Sequence, residues 1–231
     1  MVPSSAEGRG YPSFKERIPN GWRVVPSEAW PINTTFGPEE KLDLNEWRFE
    51  TYGEVEKEVS LNYDDLSKLN QSTVITDHHC IDGWSYLGHE WSGLDLREII
   101  EHTSPKKSAK YILIECERGL TQAFPLTQDI LFATRRNGVP LLRGGGFPLR
   151  AVAPGEYGYK SVKWVRRVKF TEKRELDFYE KKLLDWGMEV PPPEENPWNC
   201  ENGNRKKLLR AVFSRLLDEE RTRRIEKAHA R

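Results

Sequence analysis

Two stretches of apolar–polar alternation, one in Trp47 to Tyr52 and one in Ser161 to Phe170, restrict this chain to folds containing a half-buried sheet. Successive side chains of a strand point to opposite faces, so period two marks an extended element with one side in a core. Trp47-Arg48-Phe49-Glu50-Thr51-Tyr52 alternates and Gly53 ends it. In the second stretch Val162, Trp164, Val168 and Phe170 fall on one face, with Lys163, Val165, Arg167 and Lys169 opposite. Further strands are expected from Ser72 to Ile75, delivering Cys80 into a loop, over Tyr111–Cys116, and around Val139–Leu142 and Phe147–Ala153. Asn137-Gly138 marks a tight turn. Helices are fewer. Asn62 caps a short one, a Trp91-x-Gly93 turn feeds an amphipathic one after Asp95 that aligns Leu96, Ile99 and Ile100, and Pro125 to Ala133 suggests a third. The expected class is α+β, a mixed β-sheet domain with short helices.

Residues 1–45 lack periodicity and are rich in Pro, Gly, Ser and Asn, which reads as an extended arm. The domain then spans 46–190 and closes before Pro191-Pro192-Pro193. In 191–231 a Pro-rich segment leads into an amphipathic C-terminal helix, with Leu209, Val212, Phe213, Leu216 and Leu217 at helical spacing and ten basic against four acidic residues from 205 on. That helix packs on its own domain or on a second subunit, so a homo-oligomer through it is one expectation.

Lys plus Arg equals Asp plus Glu at 36 each, which removes the global field that would draw in nucleic acid or an anionic membrane. No stretch approaches the roughly 18 apolar residues of a membrane span. The first ten residues hold neither an apolar signal core nor a twin-arginine pair, and the three scattered cysteines make no disulfide framework, so a cytoplasmic location is expected.

Chemistry concentrates in Thr76-Asp77-His78-His79-Cys80-Ile81-Asp82-Gly83-Trp84-Ser85. The run Asp77 to Cys80 spells the signature of protein palmitoyltransferases, but those enzymes surround it with a cysteine-rich zinc region and membrane spans. A zinc site from His78, His79, Cys80 and His89 has suitable ligand types, yet adjacent strand residues point to opposite faces. A nucleophilic thiolate beside His, or an inert buried thiol, are the other readings of the residues alone. Cys116 reads as core packing and Cys200 as incidental. The glycines 144–146 lack the spacing and following helix of a dinucleotide site.

The pattern His79-Cys80-Ile81-x-Gly83-Trp84-Ser85, followed by Trp91-x-Gly93-Leu94-x-Leu96, resembles the molybdopterin-binding domain of the sulfite oxidase family. Later segments match in order: Gly144-Gly145-Gly146-Phe147-Pro148-Leu149-Arg150-Ala151-Val152-Ala153-Pro154, then Tyr157-Gly158-Tyr159-Lys160-Ser161-Val162-Lys163-Trp164. The resemblance covers most of residues 12–190. It implies the sulfite-oxidase molybdopterin-binding fold and a Mo-molybdopterin cofactor, with Cys80 as Mo ligand and catalytic centre. It places His79, Cys80, Thr121, Arg150, Lys160, Ser161, Val162 and Lys163 at the cofactor. Arg150 offers a planar fork, the lysines offer ammonium donors, and Gly158 lets backbone approach a ligand closely. Gly145 departs from the pattern, because relatives often carry His or Asn five residues before the arginine; a side-chain contact is then missing or supplied elsewhere.

Within the family, Asp82 stands where sulfite oxidases proper usually continue an Asn-Arg pair, and it would repel sulfite. The chain has no room for their second, immunoglobulin-like domain. Gly83-Trp84-Ser85 is similar to the catalytic subunits of bacterial protein methionine sulfoxide reductases. The implied reaction is two-electron oxygen-atom transfer at a small-molecule or protein-bound sulfur substrate, most simply sulfoxide reduction. Without a haem-binding or iron–sulfur cysteine pattern, a separate electron-transfer partner is implied. A sulfite-oxidase-like dehydrogenase and an inactive pterin-fold binding protein, which Gly145 would permit, are the alternatives.

Overall fold

The computed structural model describes residues 18, 22–26, 42–80, 82–188 and, near the C-terminus, 211, 212, 214–219, 221–223 and 226. Ile81, the Pro-rich stretch after 190, Cys200 and most of the N-terminal arm lie outside the described residues.

Among the described residues the strands form two sheets. In chain order they are β1 (Arg23–Val24), β2 (Phe49–Gly53), β3 (Val59–Leu61), β4 (Ser72–Cys80), β5 (Trp84–Asp95), β6 (Tyr111–Cys116), β7 (Thr121–Pro125), β8 (Leu131–Arg136), β9 (Val139–Pro140), β10 (Arg150–Val152) and β11 (Val165–Thr171). One sheet runs β1-β5-β8-β10, with β4 on β5 and β9 on β8; the other runs β3-β2-β11-β6-β7. Their facing sides share one core, in which Phe49, Leu94, Ile112, Ile114, Phe132, Val168 and Phe170 are buried. Short helices α1 (Tyr63–Lys68), α2 (Leu96–Thr103) and α3 (Phe178–Asp185) flank the sheets. The architecture is α+β, as the alternation predicts.

The capped helices form as the sequence predicts. Asn62 and Asp65 make a reciprocal capping box at α1, and Asp95 accepts from the Arg97 N–H at α2. Asn137 and Gly138 both take positive φ and link β8 to β9.

Four local expectations change. Pro125 to Ala133 is not a helix: β7 ends at Pro125 and Leu131, Phe132 and Ala133 enter β8, where β5 and β10 pair on either side and complete burial selects a continuous apolar strand. Trp91-x-Gly93 is no turn but part of the long strand β5, and a Cβ at Gly93 would overlap the Phe132 carbonyl of β8. Strand β4 continues through Cys80, which pairs with Trp84, so the cysteine ends a hairpin strand. Finally, β11 begins only at Val165, after Trp164 at φ 56°, and a bulge between Val165 and Arg167 turns Val165 into the core beside Val168.

The described part of the C-terminal helix packs on its own chain. Val212 and Leu216 join Trp22, Tyr179 and Leu183 in a second buried cluster. Glu219 accepts from Lys182 Nζ at 3.2 Å and from Trp186 Nε1 at 2.9 Å.

Candidate cofactor site

Cys80 sits where the β4–β5 hairpin meets the segment after β10. The hairpin closes through the Gly83 N–H bonding to the Cys80 carbonyl at 2.9 Å, with Gly83 at φ 89°, a conformation that favours glycine. The thiol is partly exposed and donates to Asp82 Oδ2 at 3.4 Å. Burial, and then the Asp82 carboxylate, push the Cys80 thiol up to about 12; Lys163 acts in the opposite direction.

The two adjacent histidines diverge, as alternation on a strand demands. His78 is buried, stacked on Trp84 at 5.6 Å and edge-on to His89 at 6.3 Å. His79 turns to the other side, where its Nδ1 shares a 2.8 Å hydrogen bond with Ser85 Oγ and its ring faces Trp22 and Tyr157. Among the described residues no group of three or more His, Cys, Asp or Glu side chains is placed to hold a metal, so the zinc arrangement is not formed. Among them, too, no helix is long and apolar enough to cross a membrane.

Positive charge gathers along the β4–β5 hairpin, with Arg150 buried and Lys163 half-buried. The Arg150 guanidinium donates to the Gly145 carbonyl at 3.0 Å and lies 5.1 Å over the Trp91 ring. Burial, then the charge of Arg136, lower it to about 9. Lys163 donates to the Gly144 carbonyl at 3.0 Å, and burial followed by repulsion from Arg150 brings it down to about 7. Burial, then Arg150, hold His78 well below the usual imidazole range. Cations that depress one another in a poorly hydrated region are stabilised by an anion placed among them. A cavity of about 440 Å³ opens beside Arg150, lined also by Trp91, Arg136, Leu141, Leu142 and Gly145. A Cβ at Gly145 would meet no atom within 4 Å.

The remaining expected residues separate. Lys160 donates to Asp177 Oδ2 at 3.2 Å in a buried ion pair, its ammonium 5.4 Å from the Phe124 ring centroid. It therefore ties the 157–163 segment to α3. Ser161 closes the 3-10 turn Gly158–Lys160, and Val162 is core, its carbonyl accepting from the Ala151 N–H. Thr121 Oγ1 at the start of β7 is buried and has no hydrogen-bond partner among the described residues. The close backbone approach at Gly158 is to protein, because a Cβ there would overlap the His78 ring.

Sequence reasoning missed Trp22, Arg136 and Asp177. Of these only Asp177 had a local signal, since Asp177-x-x-Glu180 is a capping-box spacing and both reciprocal bonds are present.

Residues 36–179 match the family described as oxidoreductase molybdopterin binding domain. The chain belongs to this molybdopterin-binding oxidoreductase family. It is 32% identical over 169 residues to the uncharacterized oxidoreductase YuiH of Bacillus subtilis (strain 168), covering 71% of this chain and 84% of that protein. It is 30% identical over 179 residues to the protein-methionine-sulfoxide reductase catalytic subunit MsrP of Xanthomonas campestris pv. campestris, covering 68% of this chain and 55% of MsrP. The chain thus spans about half the length of that relative. The sulfane dehydrogenase SoxCD of Paracoccus pantotrophus shares the fold, with a TM-score of 0.53 and 24% identity over 58% of this chain and 40% of that one. Membership makes this protein an oxidoreductase whose cofactor is Mo-molybdopterin. The chemistry of these residues fits such a group: buried Arg150 and half-buried Lys163 suit its phosphate, the cavity beside Arg150 offers apolar and guanidinium walls, and the Thr121 hydroxyl, without a hydrogen-bond partner among the described residues, can bond it.

Proposed function

We propose that Cys80 ligates molybdenum and that this protein is a reductase of the sulfoxide type. The observation that carries the reading is the placement of two cations along the β4–β5 hairpin that presents the Cys80 thiol, buried Arg150 over Trp91 and beside His78, and half-buried Lys163 beside Cys80. Arg150 and Lys163 would hold the anionic end of the cofactor, Thr121 would bond it from β7, and backbone of Ser161 to Lys163 would complete the cradle. Lys160 supports that cradle through Asp177. Bound there, Mo-molybdopterin supplies oxygen-atom transfer: a sulfoxide gives up its oxygen, which leaves as water with two protons, while two electrons enter from a separate carrier.

Asp82 favours sulfoxide over sulfite. Its carboxylate accepts from the Cys80 thiol at 3.4 Å, and a negative charge there repels an anion far more than a neutral dipole. A cysteine hydrolase is poorly served, because His79 is bonded to Ser85 and His78 is stacked on Trp84, while the thiol itself faces a carboxylate.

Holoenzyme made in a host that synthesises the cofactor should oxidise a reduced viologen dye with dimethyl sulfoxide or methionine sulfoxide and should not reduce ferricyanide with sulfite. Sulfite oxidation without sulfoxide reduction would reverse the assignment.

A further inference from the structure

A bulge in β8 brings a second guanidinium to the cavity beside Arg150. Ala133 and Arg136 are three residues apart, and on a regular strand they would face opposite sides of the sheet. Ser92 of β5 pairs with Arg135 but Gly93 pairs with Ala133, so β8 holds one extra residue, Thr134, at that point. The shift turns Arg136 to the face that Ala133 shares with Trp91. Arg150 of β10 reaches the same face through its own pairing with Ala133. Both guanidiniums line the cavity as a result, Arg150 buried and Arg136 half-buried.

The lining is one-sided in charge. None of the described residues that form it is acidic, and beside the two arginines its walls are Trp91, Gly145 and the apolar run 139–142. Val139 and Leu142 are 59% and 70% exposed, so the cavity reaches the surface between apolar side chains. Its volume of about 440 Å³ lies within the roughly 300–1,000 Å³ of small-molecule sites. Burial lowers Arg136, and the charge of Arg136 in turn lowers Arg150. Like charges held together with little water are relieved by an anion between them. The cavity is also joined to the surroundings of the thiol. Arg150 donates to the Gly145 carbonyl, and Lys163, which lies beside Cys80, donates to the carbonyl of the adjacent Gly144. A ligand held by Cys80, Lys163 and Arg150 therefore has this cavity at its Arg150 end.

We propose that the cavity is a phosphate-ester site in which Arg136 and Arg150 hold one phosphate between them, and that this phosphate is the cofactor's. A guanidinium fork takes two phosphate oxygens at once, and apolar walls suit the ring system that carries the ester. The cofactor as source rests on the reading of Arg150 and Lys163 given above; the anion site does not.

Arginine modification by phenylglyoxal, located by peptide mass spectrometry, tests both parts. In the cofactor-free chain, saturating phenyl phosphate should slow modification of Arg136 by at least about tenfold, and in the holoenzyme the bound cofactor should do the same. Arg135, exposed and bonded to the Gly138 carbonyl, is the internal control and should react equally in every case. Arg136→Gln should release pterin from the holoenzyme about tenfold faster, read by fluorescence of the oxidised pterin, and Arg135→Gln should not. The labelling uses the native chain, so it decides even if Arg136→Gln does not fold. Equal modification of Arg136 with and without phenyl phosphate overturns the anion site. Protection by phenyl phosphate but not in the holoenzyme overturns the cofactor as source and leaves a site for a free phosphate ester. Protection in the holoenzyme together with no sulfoxide reduction supports this site and overturns the reductase reading alone.

Discussion

His78 and His89 are imidazoles that the fold keeps neutral. Burial lowers both, with Arg150 adding to it at His78, and Arg136 and then Arg150 adding to it at His89, which falls to about 2. Below the ordinary imidazole value of about 6.5 the unfolded chain binds protons that the native chain refuses, so native stability is full above that pH and is lost as pH falls. The loss should approach about 1.4 kcal/mol per pH unit for each histidine. Urea midpoints measured at roughly pH 7 and pH 5 should show it, and His89→Phe should flatten the slope; a native midpoint unchanged between them contradicts the assignment. Arg150 tests the other side of the site. Arg150→Met keeps the stem packed over Trp91 and removes a buried charge, so the cofactor-free chain should hold or gain stability. The same variant should retain pterin at least about tenfold more weakly, read by fluorescence of the released, oxidised pterin. Pterin retention equal to the native chain's would remove Arg150 from the cradle.

At the scale of elements, the 157–163 segment and α3 act as one support. Asp177 is buried, caps α3 through the Tyr179 and Glu180 N–H groups, and takes the Lys160 ammonium. Asp177→Ala leaves that ammonium buried without its carboxylate and should cost about 3–5 kcal/mol, whereas Asp177→Asn keeps a capping oxygen and should cost less. Thermal or urea unfolding of the two variants orders them; equal effects would mean the ion pair with Lys160 alone matters. Gly158→Ala would drive a methyl into the His78 ring and should cost about 1–3 kcal/mol, with pterin loss beyond what that destabilisation explains. Elements with a local cause were legible: the Asn62 and Asp95 caps and the Asn137-Gly138 turn are written in neighbouring residues. Elements decided by distant partners were not. Leu131 to Ala133 is a strand because β5 and β10 flank it, and the bulge at Val165 depends on its register with Cys116.

Across the whole molecule, the alternating stretches announced a sheet but not its division into two, since pairing such as Arg167 with Glu50 joins residues far apart in sequence. The motif around Cys80 was legible for the same reason the caps were, being contiguous. The cluster of Trp22, Tyr179 and Leu216 was not, because it joins segments far apart in the chain. The Lys160–Asp177 pair was illegible for a related reason, its members being 17 residues apart. The central claim, that the hairpin-end thiol is the protein's own ligand to molybdenum, is tested most directly by X-ray absorption at the molybdenum edge on native holoenzyme and on Cys80→Ser. Pterin should be retained in both, and the variant's metal should have one sulfur neighbour fewer. An unchanged sulfur shell in Cys80→Ser would contradict the assignment.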